Sequence, residues 1–415
     1  MPVRTALARR GAAEQLDELL AADERRRELN TRIDQIRAEQ NRLSGEIEEA
    51  ARAGKTDDPE FKKAREASSA LKSELKELEP QLAELSEKRD ELLASLPNIP
   101  DPDAPDGETE EDNVTLREEG EKREFGFEPL DHLDLALRHG WIEMEAAAEA
   151  SGSRFAYLLG DLVMLEFALV RFAMERVRAE GFVPAIPPVL VREKALYGTG
   201  YFPGEREMIY EVPLDELFLV GTSEVSLAAL HADQIMEADE LPKRYGGFST
   251  CFRREAGASG RDTRGIFRVH QFDKVEMFSF VEPGSGREEH ERILAIQEGI
   301  LGALGIPYRV VDVAVGDLGA PAARKFDCEG WIPSQERFRE LTSCSNTTAY
   351  QARRLSSRYR PAHGESPEPV HTLNGTALAV GRTLIALLEN GQSEDGTVEL
   401  PVALQEFGAP QRIPT

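Results

Sequence analysis

The chain has 415 residues, with 50 Lys and Arg against 76 Asp and Glu, for a net charge of −26. That length suffices for a catalytic domain with its own core plus a second module, while the acidic balance excludes indiscriminate nucleic-acid binding through a uniformly basic surface. No stretch approaches the roughly 20 apolar residues of a membrane span, and the opening MPVRTALARR lacks the apolar run of a secretory signal.

Residues 15–52 carry a heptad seam: Leu29, Ile33, Ile36, Leu43, Ile47 and Ala50 alternate steps of four and three, with Gln40 the polar intruder. A second seam runs from Phe61 through Leu71, Leu75, Leu78, Leu82 and Leu92 to Leu96. Between them, Gly54 can stop one helix and Asp57 or Asp58, followed by Pro59, can start the next. Each seam covers about 36 residues, or roughly 54 Å at 1.5 Å per residue. Equal lengths and a short turn predict an antiparallel helical hairpin, bent near Glu79 because Pro80 removes a hydrogen bond. Its exposed positions mix Arg25, Arg27, Arg32, Arg42, Lys62, Lys63 and Arg65 with many glutamates, a pattern that solubilises any coiled coil.

Residues 96–114 are rich in Pro and Asp and read as a linker. The predicted organisation is therefore an arm at 1–97, a linker at 98–115 and a catalytic domain at 116–415. A helical stretch follows around DHLDLALRHG; the segment at 151–181 is apolar all round, as a buried or interface helix would be. It leads into GFVPAIPPVLV, a strand whose Pro188 suits a sheet edge. LFLVGTSEVSLAALHA then gives a short strand and a helix with Thr222, Ser223 and Glu224 between them, positions that serve equally as a helix cap.

Residues 252–280 are predicted to form a long antiparallel hairpin, with strands up to residue 256 and from residue 266. The intervening loop contains Gly257, Gly260 and Gly265 and a basic tip with Arg261 and Arg264. Alternation puts Arg253 and Glu255 on one face, and Arg268, His270, Phe272, Lys274 and Glu276 on one side of the second strand. Guanidiniums suit phosphate oxygens, and an aromatic among cations offers a flat base a surface. The residues alone thus point to a nucleotide site on an antiparallel sheet.

Beyond it, a helix at 285–304 and further strands lead to FRELTSCSN, which holds Glu340 and Ser343. In a flat strand these two would face opposite sides, so a bulge or the strand end must intervene to bring them together. HTLNGTALAVGRTLIALLEN reads as strand, turn and amphipathic helix, with Arg382 in the helix; taken alone that arginine is an ordinary surface charge. The three cysteines, Cys251, Cys328 and Cys344, have no CxxC spacing and read as small buried residues of a reducing compartment, convergence on a metal being the alternative.

The run FRREAGASGRDTRGIFRVHQFDKVE resembles motif 2 of the class II aminoacyl-tRNA synthetases, in the wording of the bacterial-type seryl-tRNA synthetases. The helix and Pro188 strand resemble motif 1, and the stretch around Arg382 resembles motif 3, with only Gly375 and Gly381 of the glycines usual there. This resemblance implies an α+β fold, an antiparallel sheet flanked by helices behind the coiled-coil arm. It implies a cytoplasmic homodimer that activates serine with ATP and transfers it to tRNA(Ser), and to tRNA(Sec). Members usually carry a short segment ahead of the first long helix, whereas this chain opens almost directly into it, so slightly weaker anchoring of the arm is expected.

Carried over by motif, Arg253, Glu255 and Arg382 are the catalytic residues. Thr222, Glu224, Arg253, Glu276, Asn374 and Thr376 would bind serine. Arg253, Arg254, Glu255, Arg268, Val269, Phe272, Glu340, Leu341, Thr342, Ser343 and Arg382 would bind ATP, with Glu340 and Ser343 on Mg2+. The arm would grip the tRNA. The competing readings are a paralogue that loads an amino acid onto another acceptor and a non-catalytic scaffold. The full arm speaks against the first, and intact Arg253, Glu276 and Arg382 against the second.

Overall fold

The computed structural model describes residues 3–257, 260 and 262–414. It forms two compact units, Met1–Leu96 and Pro97–Thr415. The first contains α1 (Val3–Ala8), α2 (Ala13–Arg52) and α3 (Pro59–Ser95). The Asp58 side chain accepts a hydrogen bond from the Glu60 amide, and Pro59 fills the first turn, where its missing N–H is not needed. Ile33 and Ile36 of α2 are buried with Leu75 against Leu71, Leu78 and Leu82 of α3. Leu16 and Leu19, near the start of α2, meet Leu92 and Leu96, so the long helices run antiparallel. The α3 helix continues unbroken through Pro80. A short helix does precede the long ones, contrary to the sequence expectation: α1 contributes Leu7 to the cluster around Leu19 and Leu96.

The second unit is built on one eight-stranded sheet. Its strands are β1 (Val114–Glu119), β2 (Val183–Ala185), β3 (Lys243–Phe252), β4 (Gln271–Val281), β5 (Tyr308–Asp312), β6 (Arg324–Ile332), β7 (Arg337–Thr348) and β8 (His371–Ala379). They lie in the order β1-β5-β6-β7-β8-β4-β3-β2, antiparallel throughout except for the β3–β2 edge pair. Helices α4 (His132–His139), α5 (Asp161–Ala179), α6 (Gly286–Ala303) and α7 (Val380–Gly391) contribute to the main core. There Leu165 and Phe172 of α5, Ile293 of α6 and Leu384 of α7 pack with Val275 and Met277 of β4. Gly375 lets α6 approach the sheet closely: a Cβ there would lie 2.4 Å from Ile293 Cγ2.

Alternation along β4 sends its even positions to the other face. Phe278 and Phe280 pack there with Leu227 and Leu355, while Phe272, Lys274 and Glu276 line cavities. The unusual mixture of charge and aromatic on one strand face is thus divided between a second core and a site.

Three expectations are corrected. The strands flanking the 252–280 loop are shorter than alternation implied, ending at Phe252 and resuming at Gln271. The Arg253 amide still bonds the His270 carbonyl at 2.9 Å, but beyond it the chains part, because the Arg254 amide bonds Met208 and the His270 amide bonds Arg154. The motif 1 strand carries Pro184; Pro188 lies past its end, its carbonyl accepting a 2.6 Å bond from the Ser226 hydroxyl. The expected linker is laid onto the second unit, which begins at Pro97. Asn98 donates to the Pro321 and Thr347 carbonyls at 2.8 Å, Ala104 packs with Val313 and Val315, and Asn113 accepts from the Ala314 amide. Its polar residues serve as fasteners. Among the described residues, no helix is long and apolar enough to cross a membrane.

Candidate active site

Two cavities adjoin on the site face of the sheet, sharing Arg253, Lys274, Ser343 and Thr376 in their walls. The first, of about 100 Å³, is lined by Arg253, Glu255, Arg268, Val269 and Phe272 from the 253–270 connection and β4. Glu340, Leu341 and Ser343 from β7 and Arg382 from α7 also line it, as do Ile266 and Phe267 of the connection. Arg253 and Arg382 therefore share one cavity. The Arg253 guanidinium lies 5.3 Å from the centre of the Phe272 ring and donates to the Gly221 carbonyl at 3.1 Å. Arg268 donates to Glu255 at 2.7 Å, and Arg382 to the Glu340 carbonyl at 2.8 Å. Glu255 reaches its position with a φ of 50°, a left-handed conformation that turns the chain out of the strand.

Glu340 and Ser343 come to one cavity through a bulge. Along β6–β7, Cys328 pairs with Thr342 but Glu329 pairs with Glu340, leaving Leu341 as the extra residue. Burial alone would raise the Glu340 carboxyl, but the charges of Arg382, Lys325, Arg253 and Lys274 outweigh it and hold the group at about 2. An ionised carboxylate beside a hydroxyl fits magnesium, whose remaining ligands are commonly phosphates and water. Among the described residues no cluster of three or more His, Cys, Asp or Glu could hold a metal unaided.

The second cavity, of about 270 Å³, is lined by Glu224, Arg253, Lys274, Glu276, Asn374 and Thr376, with Tyr201, Glu205, Lys325 and Ser345. It holds a network of buried polar groups. Glu224 accepts from Gln351 at 2.7 Å, Asn374 at 2.9 Å and the Tyr201 hydroxyl at 3.3 Å. Burial first, then the neighbouring Glu276 charge, push the Glu224 carboxyl up to about 7 despite those donors. Glu276 is in contact with the Lys274 ammonium and accepts from Thr376 at 3.3 Å. Lys274 donates in turn to Thr222 at 2.8 Å.

Some expected residues fall outside both walls. Thr222 stands behind the second cavity, bonded to Lys274 and to the Glu224 amide. Thr342 is buried opposite Cys328 in the ladder. Arg254 is exposed, its guanidinium 5.8 Å from the Tyr210 ring. His270 turns to bond the Arg253 carbonyl. Arg264 pairs with Asp131 and Asp134, and Arg261 lies outside the described residues. Tyr201, Gln351 and Lys325 escaped the sequence reading, since only tertiary contact joins them to the motifs. Lys274 carried a signal, its place on the charged β4 face, without a role being drawn from it. Cys251, Cys328 and Cys344 are free and buried, as their spacing suggested.

Comparison with known proteins adds a second line of observation. The N-terminal domain of seryl-tRNA synthetases matches residues 2–100, and the class II synthetase core domain for G, H, P, S and T matches residues 210–391. A serine–tRNA ligase of Streptomyces avermitilis is 49% identical, covering 94% of this chain and 91% of its own. One from Acidothermus cellulolyticus is 50% identical with the same coverage. A crystal structure of seryl-tRNA synthetase from Pyrococcus horikoshii complexed with ATP matches with a TM-score of 0.90 at 40% identity, covering 99% of this chain and 96% of that one.

Proposed function

This chain belongs to the seryl-tRNA synthetases, and on that premise we propose how its two cavities divide the reaction. The chain is a class II ligase that activates L-serine with ATP and transfers the seryl group to tRNA(Ser). The first cavity takes ATP: Phe272 stacks on adenine, Arg253 holds the α-phosphate, and Arg382 the γ-phosphate. Glu255 and Arg268 position one another at its wall, and Val269 and Leu341 line it beside them. The second cavity takes serine: Glu224 binds its ammonium, with Glu276, Asn374 and Thr376 around the hydroxyl and Thr222 supporting them.

The observation that carries this division is Arg253, which lines both cavities. There its guanidinium bridges the serine carboxylate and the α-phosphate. A carboxylate oxygen attacks the α-phosphorus in line, the bond to the bridging oxygen of the β-phosphate breaks, and pyrophosphate leaves. The terminal hydroxyl of the tRNA then attacks the seryl carbonyl and AMP departs. Such chemistry needs positioning and charge neutralisation more than a dedicated base. Glu340 and Ser343 would hold Mg2+, which when bound neutralises charge on the phosphates.

The arm serves tRNA. Arg27, Arg32 and Arg42 hold acidic partners on the arm itself, while Arg25, Lys62, Lys63 and Arg65 are exposed cations suited to phosphate. Exposed Met164 and Phe167 of α5 and Val183 and Ile186 beside the sheet edge support a homodimer. The site of action is the cytoplasm, and tRNA(Sec) is a second acceptor through the same arm.

Pyrophosphate exchange into ATP is expected with serine and not with glycine or alanine, followed by charging of tRNA(Ser). Exchange driven by alanine but not serine would refute the assignment of the second cavity. Deleting residues 29–92 should abolish charging and preserve exchange; loss of both would show that the arm is not a separable tRNA module.

A further inference from the structure

We propose that His132 is a positioning residue of the nucleotide site, holding the returning leg of the 253–270 connection through its Nε2 atom. The proposal rests on reading the Arg253–Arg382 cavity as the ATP site. His132 opens α4 and is 4% exposed. The Ile266 amide donates to its Nε2 at 3.3 Å, so that nitrogen carries no proton. The proton therefore sits on Nδ1 and is donated to Glu389 Oε1 at 3.0 Å. Glu389, itself fully buried, also accepts from the His132 amide at 3.0 Å and the Ser334 amide at 3.1 Å. The imidazole is thus held in one tautomer and one orientation.

Everything about this contact is close. A Cβ on Gly265 would lie 2.0 Å from His132 Nε2, so the loop passes at a distance only glycine allows, with a φ of 70°. The same end of α4 supplies Asp131, which accepts from Arg264 at 2.7 Å, and Asp134, which also pairs with Arg264. That outer clasp is exposed and worth little; the buried His132–Ile266 bond is the one that fixes the loop. What it fixes is the cavity wall. Ile266, Phe267 and Arg268 all line the first cavity, and the Phe267 ring lies 4.8 Å from the Arg382 guanidinium and 3.8 Å from that of Arg339. Releasing Ile266 lets Phe267 shift and takes away the surface against which Arg382 is aimed.

The test is pyrophosphate exchange by the full chain, with ATP and serine KM measured separately. His132→Asn keeps a donor toward Glu389 but is too short to accept from Ile266, and should raise the ATP KM about tenfold with the serine KM within about twofold. His132→Gln reaches Ile266 with an acceptor and should recover most of the loss. Gly265→Ala, whose methyl displaces the loop from the imidazole while leaving the His132–Glu389 bond intact, should reproduce the ATP-specific defect even if His132→Asn folds poorly. An ATP KM unchanged in Gly265→Ala, equal rises in both constants, or His132→Gln no better than His132→Asn would overturn the proposal. Arg382→Ala separates it from its premise: an unchanged ATP KM there would mean that the cavity is not the nucleotide site.

Discussion

The two adjoining cavities share four wall residues, Arg253 and Lys274 among them, yet balance their charges differently. The first carries an excess of guanidiniums, Arg253, Arg268 and Arg382, held by the Gly221 and Glu340 carbonyls and by the carboxylates of Glu255, Asp262 and Glu340. The second sets the carboxylates Glu205, Glu224 and Glu276 against Arg253, Lys274 and Lys325, with Glu224 and Glu276 already engaged by neighbouring donors. A triphosphate brings enough charge to draw arginines from provisional partners, so its site needs forks rather than a finished lattice. Serine is small and neutral overall. Under the proposed assignment it would meet a network of already engaged polar groups, where a missing ligand group leaves buried polar atoms unpaired.

If that contrast is right, Arg382→Ala should lower kcat/KM for ATP in exchange by about 10² to 10³, the cost of removing a charge aimed at the reacting phosphates. The serine KM should barely move; a serine defect as large as the ATP defect would erase the distinction between the cavities. Glu224 allows a test through pH. Its buried carboxyl holds its proton up to about 7, against an ordinary glutamate value of 4.5. Serine needs the anion, so the serine KM should rise as pH falls below 7, approaching tenfold per unit. The ATP KM should follow less, and Glu224→Gln should flatten the serine profile at a uniformly weak level.

The same shift acts on stability with a definite sign. Between 4.5 and about 7 the folded state binds a proton that the unfolded chain has released. This group's contribution therefore falls as pH rises through that window, and Glu224→Gln should reduce the slope of melting temperature against pH there. The smallest effect is expected at Thr376, whose hydroxyl donates to Glu276 at 3.3 Å. Thr376→Val should lower serine-over-alanine discrimination about tenfold, the value of one buried hydrogen bond, with a smaller change in the ATP KM, since Thr376 borders both cavities. Discrimination unchanged would mean that the hydroxyl slot lies elsewhere.

The sequence by itself determined whatever repeats over a short distance. The helical hairpin was legible because a seam such as Ile33, Ile36 and Leu75 obeys the helical period, and Asp58 with Pro59 announces a start. The site face of β4 was legible because Phe272, Lys274 and Glu276 alternate, and strand alternation alone sets their direction. Only the tertiary structure decided where that alternation stops. The flanking strands lose their ladder at Phe252 and Gln271 because Met208 and Arg154 take the next amide bonds. Glu340 and Ser343 reach one cavity because Leu341 is bulged out against β6. Gln351, Tyr201 and His132 reach the lining residues Glu224 and Ile266 from other elements. Periodic patterns are written in neighbouring residues; hydrogen bonds to distant backbone and a shift of register belong to the partner strand as much as to the segment itself, and no local pattern encodes them.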